Sequence, residues 1–187
     1  DFHDDLSKPL IHTSTFEKKQ TASIIANIRN EAPNKKLVLF QPFGSTCNFV
    51  NDYPFDHTHR SLSPDQYVAI CNGIRDLATI IYCSQKHLKP NDDGNISITE
   101  WNPYFRVFPA FIEQSDYFIG CDSCGQHFAY GMNKPGTIIM GGSTDNFTYP
   151  YHFNIIRKKG TTPKYSPIRL SDGDTDFVER SNDGIME

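Results

Sequence analysis

Long hydrophobic runs are missing from this chain. Its apolar stretches break off after a handful of residues, as in Leu37-Val38-Leu39-Phe40, far short of the roughly 20 residues that span a bilayer. A basic-then-apolar leader is missing too, since the sequence opens Asp1-Phe2-His3-Asp4-Asp5; the expected location is the cytoplasm. Nor is there an excess of base. Eighteen Lys and Arg against 22 Asp and Glu leave a formal charge of -4, which excludes the basic face that a nucleic-acid polymer requires. No internal repeat is visible. Tryptophan is reduced to one residue, but 14 Phe and 9 Tyr supply large buried area, and 37% hydrophobic against 21% charged residues suits a packed core. At 187 residues the chain is sized for one domain rather than two.

Cysteine is scarce for a disulfide scaffold: Cys47, Cys71, Cys83, Cys121 and Cys124 are odd in number and spread over a chain too large to need staples. Cys71 and Cys83 lie in apolar runs and read as small core residues. The sequons at Asn95 and Asn146 matter only after export and are read as chance.

What is present is an alternation of helical and strand patterns. Ser14-Thr15-Phe16-Glu17 is a capping box, after which Phe16, Ile24, Ile25 and Ile28 form the expected buried stripe of a helix ending at Pro33-Asn34. A buried strand over 37–41 leads into an irregular loop reaching about His59. Ser63-Pro64-Asp65-Gln66 starts a second helix, with Val68, Cys71, Ile74 and Leu77 or Ala78 inward. Further strands are expected at 79–84, 96–98, 116–121 and 137–140. An aromatic helix around Phe105, Phe108, Phe111 and Ile112, kinked or started late by Pro109, precedes the third of these, and a helix over 123–132 follows it. This order predicts an α/β fold, a parallel sheet with helices on both faces. From Ser171 onward six acids face a single base, Arg180, the pattern of a solvated, flexible tail.

In such a sheet, ligands gather at the carboxyl ends of the strands. The segment Gly120-Cys121-Asp122-Ser123-Cys124-Gly125-Gln126-His127 ends a strand, turns on small residues and opens a helix. Free N–H groups and the helix dipole at such a start favour phosphate; Ser123 can cap the helix and offer its hydroxyl, with His127 one turn inside. On residue chemistry alone a plain helix cap and a surface histidine explain the same residues equally well. Cys121-x-x-Cys124-x-x-His127 also admits a metal or redox reading, with Cys47 or His57-x-His59 as the nearest pools for a fourth ligand.

The stretch from Gln114 to Asp145 resembles the donor-binding segment of heptosyltransferase-like GT-B glycosyltransferases, roughly A-D-L-x-I-G-N-D-S-G-P-x-H-L-A-A-A-x-G-x-P-x-x-x-L-F-G-x-T-D-P. Asp116, Ile119, Gly120, Asp122, Ser123, His127, Ala129, Pro135, Gly142, Thr144 and Asp145 match it at unbroken spacing. Leu39 to Ser45 resembles the family's L-x-P-G-A-S strand end, and Arg60 stands where the family has a Lys ahead of a P-x-E-x-F helix. Cys121 replaces Asn, Cys124 replaces Gly and Gly125 replaces Pro. Arg60 keeps the charge of the Lys and can grip phosphate bidentately. A Cys at position 124 changes how closely backbone meets a diphosphate.

The resemblance implies one half of a GT-B fold: a Rossmann-like nucleotide-sugar-binding domain over 36–160, preceded by a lead segment and helix over 1–35 and followed by the acidic tail over 161–187. It implies a nucleoside-diphosphate sugar donor, inverting transfer and no essential metal or other cofactor. Donor contacts are expected from Asp122, Ser123, Gly125 and His127, with Arg60 on the leaving phosphate and Gln85, Thr144 and Asp145 on flanking loops. The general base of the family lies in the N-terminal, acceptor-binding domain. At about half the usual length, this chain is expected to lack that domain and to be incomplete for catalysis alone. A non-catalytic nucleotide- or sugar-binding module is the alternative.

Overall fold

The computed structural model describes residues 10–44, 47–50, 53–56, 60–83, 96–98, 106–143 and 148–158, and statements of absence below concern these residues. In chain order the elements are α1 (Thr15–Glu31), β1 (Lys36–Gln41), β2 (Asn48–Val50), β3 (Tyr53–Phe55), α2 (Pro64–Ile74), β4 (Ala78–Cys83), β5 (Ile96–Ile98), α3 (Val107–Gln114), β6 (Tyr117–Cys121), α4 (Cys124–Gly131), β7 (Gly136–Met140) and β8 (Asn154–Arg157). Six strands form one sheet in the order β5-β4-β1-β6-β7-β8. Every pairing in it is parallel. The chain therefore runs outward from β1 through β4 to β5, returns to the other side of β1, and runs outward again from β6 to β8. The expected Rossmann-like α/β architecture is the observed one, and its strand order reverses between β1 and β6.

Period-two alternation along the strands builds the two cores. Leu37 and Leu39 of β1, Ile81 of β4, Phe118 of β6, and Ile138 and Met140 of β7 face one way, and they pack with Ile25 and Ile28 of α1, Phe108, Phe111 and Ile112 of α3, and Ala129 of α4. Phe40, Ile80 and Ile139 face the other way, toward Tyr67 and Cys71 of α2 together with Phe43, Cys47 and Leu62. Helices thus cover both faces. No helix among the described residues is long and apolar enough to cross a membrane.

Several local expectations are corrected. Phe16 is 62% exposed and Ile24 lies at the surface, while α1 buries Glu17, Thr21, Ile25 and Ile28. The helix is turned by a polar latch onto α3: the Arg106 Nε donates to Glu17 at 2.6 Å, and Gln114 donates to the Thr21 hydroxyl. The capping box at Ser14 forms as expected, with the Ser14 hydroxyl accepting the Glu17 N–H at 3.2 Å.

On α2, Tyr67 rather than Val68 is buried, its ring edge-on to Phe43 at 6.0 Å, and Leu77 points into solvent from the turn that follows. Of the two expectations for Pro109, the late helix start is the one met, since α3 begins only at Val107. Pro109 is the third residue of α3, where its missing N–H has no intrahelical acceptor to lose. The loop expected after β1 contains the small antiparallel hairpin β2–β3. The sheet also has an edge strand, β8, that the hydrophobic pattern did not announce. Phe105, Ser84, the Cys83 side chain, Asn95, Asn146 and the tail lie outside the described residues.

Candidate functional site

At the reversal point, the ends of β1 and β6 stand side by side, with Gln41 paired to Gly120 in register. Beyond them the chain continues as Pro42-Phe43-Gly44 on one side and Asp122-Ser123 on the other. A Cβ built on Gly44 would lie 3.8 Å from the hydroxyls of both Ser61 and Ser123. The backbone of Gly44 thus lies at contact distance from two buried serines, at the crevice that a strand-order reversal leaves in a parallel sheet.

Ser61 is held rigidly. Its Oγ accepts the Gly44 N–H at 2.9 Å and donates to Asp56, whose carboxylate also accepts the Ser61 N–H at 3.0 Å. Arg60 precedes it and is half-buried. The charges of Arg60, Lys158, Asp56 and Asp122 all act on the Cys121 thiol, which places the four around the end of β6.

Across the crevice, Ser123 takes the cap position of α4 but does not cap it: its hydroxyl makes no bond to the helix backbone. It accepts instead from the Gln41 Nε2 at 3.3 Å. The other end of the same amide, Gln41 Oε1, accepts the Gly125 N–H at 3.1 Å. One of the helix-start donors assigned from the sequence to phosphate is thus already engaged by a buried glutamine, a residue that sequence reading passed over. Its only signal was a polar side chain at the end of an otherwise apolar strand.

Gly125 has a packing reason of its own. A Cβ there would overlap Gln41 Oε1 and come within 2.7 Å of the Phe118 ring.

Asp122 is buried rather than lining an open cleft. Its Oδ1 accepts the Gln126 Nε2 at 2.6 Å, while Oδ2 and the Gln126 Oε1 are buried without a hydrogen-bond partner. Such orphaned acceptors are costly unless something else satisfies them. His127 is exposed, one turn into α4, with Nδ1 2.7 Å from the Tyr149 hydroxyl and the rings edge-to-face. Partial desolvation pushes the imidazole below its ordinary pKa, against the pull of Asp122. Tyr149 is itself stacked on Tyr130 at 3.7 Å. It too was missed, because it lies 22 residues after His127. Gln85, Thr144 and Asp145 lie outside the described residues, so Arg60, Asp122, Ser123, Gly125 and His127 are the expected site residues whose positions are known. The structure brings them to one end of the sheet.

Three solved structures share this architecture. A glycosyl transferase family 9 protein from Veillonella parvula superposes with TM-score 0.60 at 13% identity, over 79% of this chain and 42% of that one. The ADP-heptose lipopolysaccharide heptosyltransferase II of E. coli gives 0.54 at 17%, over 79% and 45%. E. coli heptosyltransferase WaaC, solved with ADP-2-deoxy-2-fluoro heptose, gives 0.53 at 9%, over 74% and 42%. The fold is shared with these glycosyltransferases. The chain spans less than half the length of the structures it matches. Its sequence matches no protein-family model and no curated protein.

The dithiol reading finds no support in the geometry. Cys121 is fully buried, and burial together with Asp56 and Asp122 pushes its thiol far above the usual range, the reverse of a reactive or ligating thiolate. No cluster of three or more His, Cys, Asp or Glu suited to a metal occurs among the described residues. His57 and His59 lie outside them.

Proposed function

We propose that this chain is the donor-binding half of an inverting glycosyltransferase, taking a nucleoside-diphosphate sugar into the crevice between β1 and β6. The observation that carries the proposal is the strand-order reversal of a glycosyltransferase-like sheet, at which the Gly44 backbone lies between two buried serines, with Arg60 adjoining Ser61 in sequence. A diphosphate leaving group gathers negative charge as the sugar departs, and fixed N–H groups, hydroxyls and a guanidinium stabilise that charge without reorganising. In this reading Arg60 meets the leaving phosphate, Ser123 and the α4 backbone at Gly125 flank it, and His127 and Asp122 approach the sugar side. Gln85, Thr144 and Asp145 belong to the loops that complete the cleft. The acceptor and its general base belong to a further domain, so positioning of both reactants needs that partner. Within this reading the chain works in the cytoplasm.

Calorimetry against a panel of nucleotide sugars tests this. Binding by wild type, weakened at least tenfold in Arg60→Ala for diphosphate compounds but not for nucleosides, is the expected result. Asp122→Asn and His127→Ala should weaken the sugar conjugate more than the bare nucleotide. Equal affinity of all variants refutes the site.

A second reading is favoured by one observation, the occupation of the Gly125 N–H by Gln41. It makes the chain a binding module without transfer activity. Sugar transfer on addition of an acceptor domain separates the two.

A further inference from the structure

Lys158 directly follows β8 and is 1% exposed. Its backbone N–H donates to the Met140 carbonyl at 3.0 Å, which fixes it at the end of the sheet, and its ammonium donates to the Ser61 carbonyl at 2.5 Å across 97 residues of sequence. Ser61 is the residue whose hydroxyl holds the Gly44 N–H, so Lys158 is joined through Ser61 to the Gly44 backbone. The ionisable groups acting on it are Cys121 at the end of β6 and Asp56 from the segment before α2, while Arg60 and Asp122 act in turn on Cys121. A lysine is seldom buried this completely, because its charge loses hydration there.

We infer that Lys158 is a second cation of the crevice, one that tethers Arg60–Ser61 to the sheet and gains a proton when a diphosphate docks over Gly44. The inference rests on the donor reading above. Burial lowers the Lys158 pKa to about 8, with Cys121 and Asp56 opposing that fall. An arriving dianion shifts the balance back toward the ammonium, and the proton comes from solvent. Lys158 is a positioning residue, since it acts through Ser61 and through its field.

The test is calorimetry with ADP and UDP at about pH 8.5, in two buffers of different ionisation enthalpy. The phosphates are already ionised there, so proton uptake reports on the protein. Wild type is expected to take up about half a proton per nucleotide bound. Lys158→Met should take up none, and Lys158→Arg, charged throughout, none while keeping its affinity. The wild-type affinity should also fall severalfold between about pH 7.5 and 9.5, with a flat profile in both variants. Binding without uptake in wild type overturns the inference while leaving the donor reading intact, and that measurement needs no variant to fold. Uptake equal in wild type and Lys158→Arg also overturns it. Failure of every diphosphate nucleotide and nucleotide sugar to bind overturns both.

Discussion

Gln41 Oε1 accepts the Gly125 N–H at 3.1 Å, so the last side chain of β1 occupies the place at the start of α4 that an anion oxygen would take. The same amide donates to Ser123. The two strand ends that define the crevice are thereby joined by one neutral group, and a phosphate approaching α4 meets that group first.

Gln41→Ala should therefore cost about 1–3 kcal/mol, the usual penalty for leaving a buried donor unpaired. Thermal unfolding measures it. In the variant, ADP or UDP should restore more of the melting temperature than either adds to wild type, because the Gly125 N–H is released to the phosphate. A loss within experimental error would show that the amide does not hold the two ends together.

Gly125→Ala should be worse tolerated than its mild chemistry suggests. The new methyl group collides with Gln41 Oε1 and the Phe118 ring, and overpacking of this kind costs about 1–3 kcal/mol. Denaturant midpoints for Gly125→Ala and for Gly125→Ala with Gln41→Ala distinguish the two collisions. The double variant should recover only part of the loss, because Phe118 remains.

Much of the sheet was legible because parallel strands buried on both faces read as short apolar runs, and β1, β4, β6 and β7 all do. β8 was not, for a physical reason: as an edge strand carrying Asn154 and Arg157 it is only half-buried and shows no such run. The face of α1 was misplaced because hydrophobic spacing cannot see a polar latch. Glu17 and Thr21 are buried through Arg106 and Gln114, about 90 residues away in sequence. The candidate site was legible at its turn, where Asp122 to His127 share one short segment. Gln41, Ser61, Tyr149 and Lys158 reach the same end from four other segments, and no spacing rule joins them.

The α1–α3 latch makes a pH prediction. The Arg106 hydrogen bond, then the Ser14 N–H, hold the Glu17 carboxyl at about 2, below its usual 4.5. Between those values the unfolded chain binds more protons than the folded one, so stability is full above about pH 4.5 and falls as pH drops toward 2. Glu17→Gln should be less stable than wild type at neutral pH and show a flatter acid limb. Urea midpoints across that range are the check, and parallel curves would remove Glu17 from the latch.

His127 should titrate below the ordinary histidine range, because the ring is partly desolvated, and Tyr149, with its hydroxyl 2.7 Å from Nδ1, is the neighbour to test. Tyr149→Ala readmits water and should move the titration upward. Proton NMR of the ring follows both. An unchanged value in the variant would assign the desolvation to another neighbour.

Lys158 gives the last prediction, and its sign is opposite to that of Glu17. Folding lowers its pKa from 10.5 to about 8, so between those values the unfolded chain carries the proton and the folded chain does not. Stability contributed by Lys158 therefore rises with pH across that window, and below about pH 8 the folded state bears the full cost of burying the charge. The shift corresponds to on the order of 3 kcal/mol. Lys158→Met removes that cost but leaves the Ser61 carbonyl without its donor, a loss of about 1 kcal/mol. The variant should thus be more stable than wild type at neutral pH by the difference, and the gap should close before pH 10.5 and then reverse, because only the lost hydrogen bond remains. Guanidinium unfolding of both proteins from neutral to alkaline pH measures it. A constant gap across the range would mean that Lys158 does not change its charge on folding, and the proton uptake inferred for nucleotide binding would lose its source.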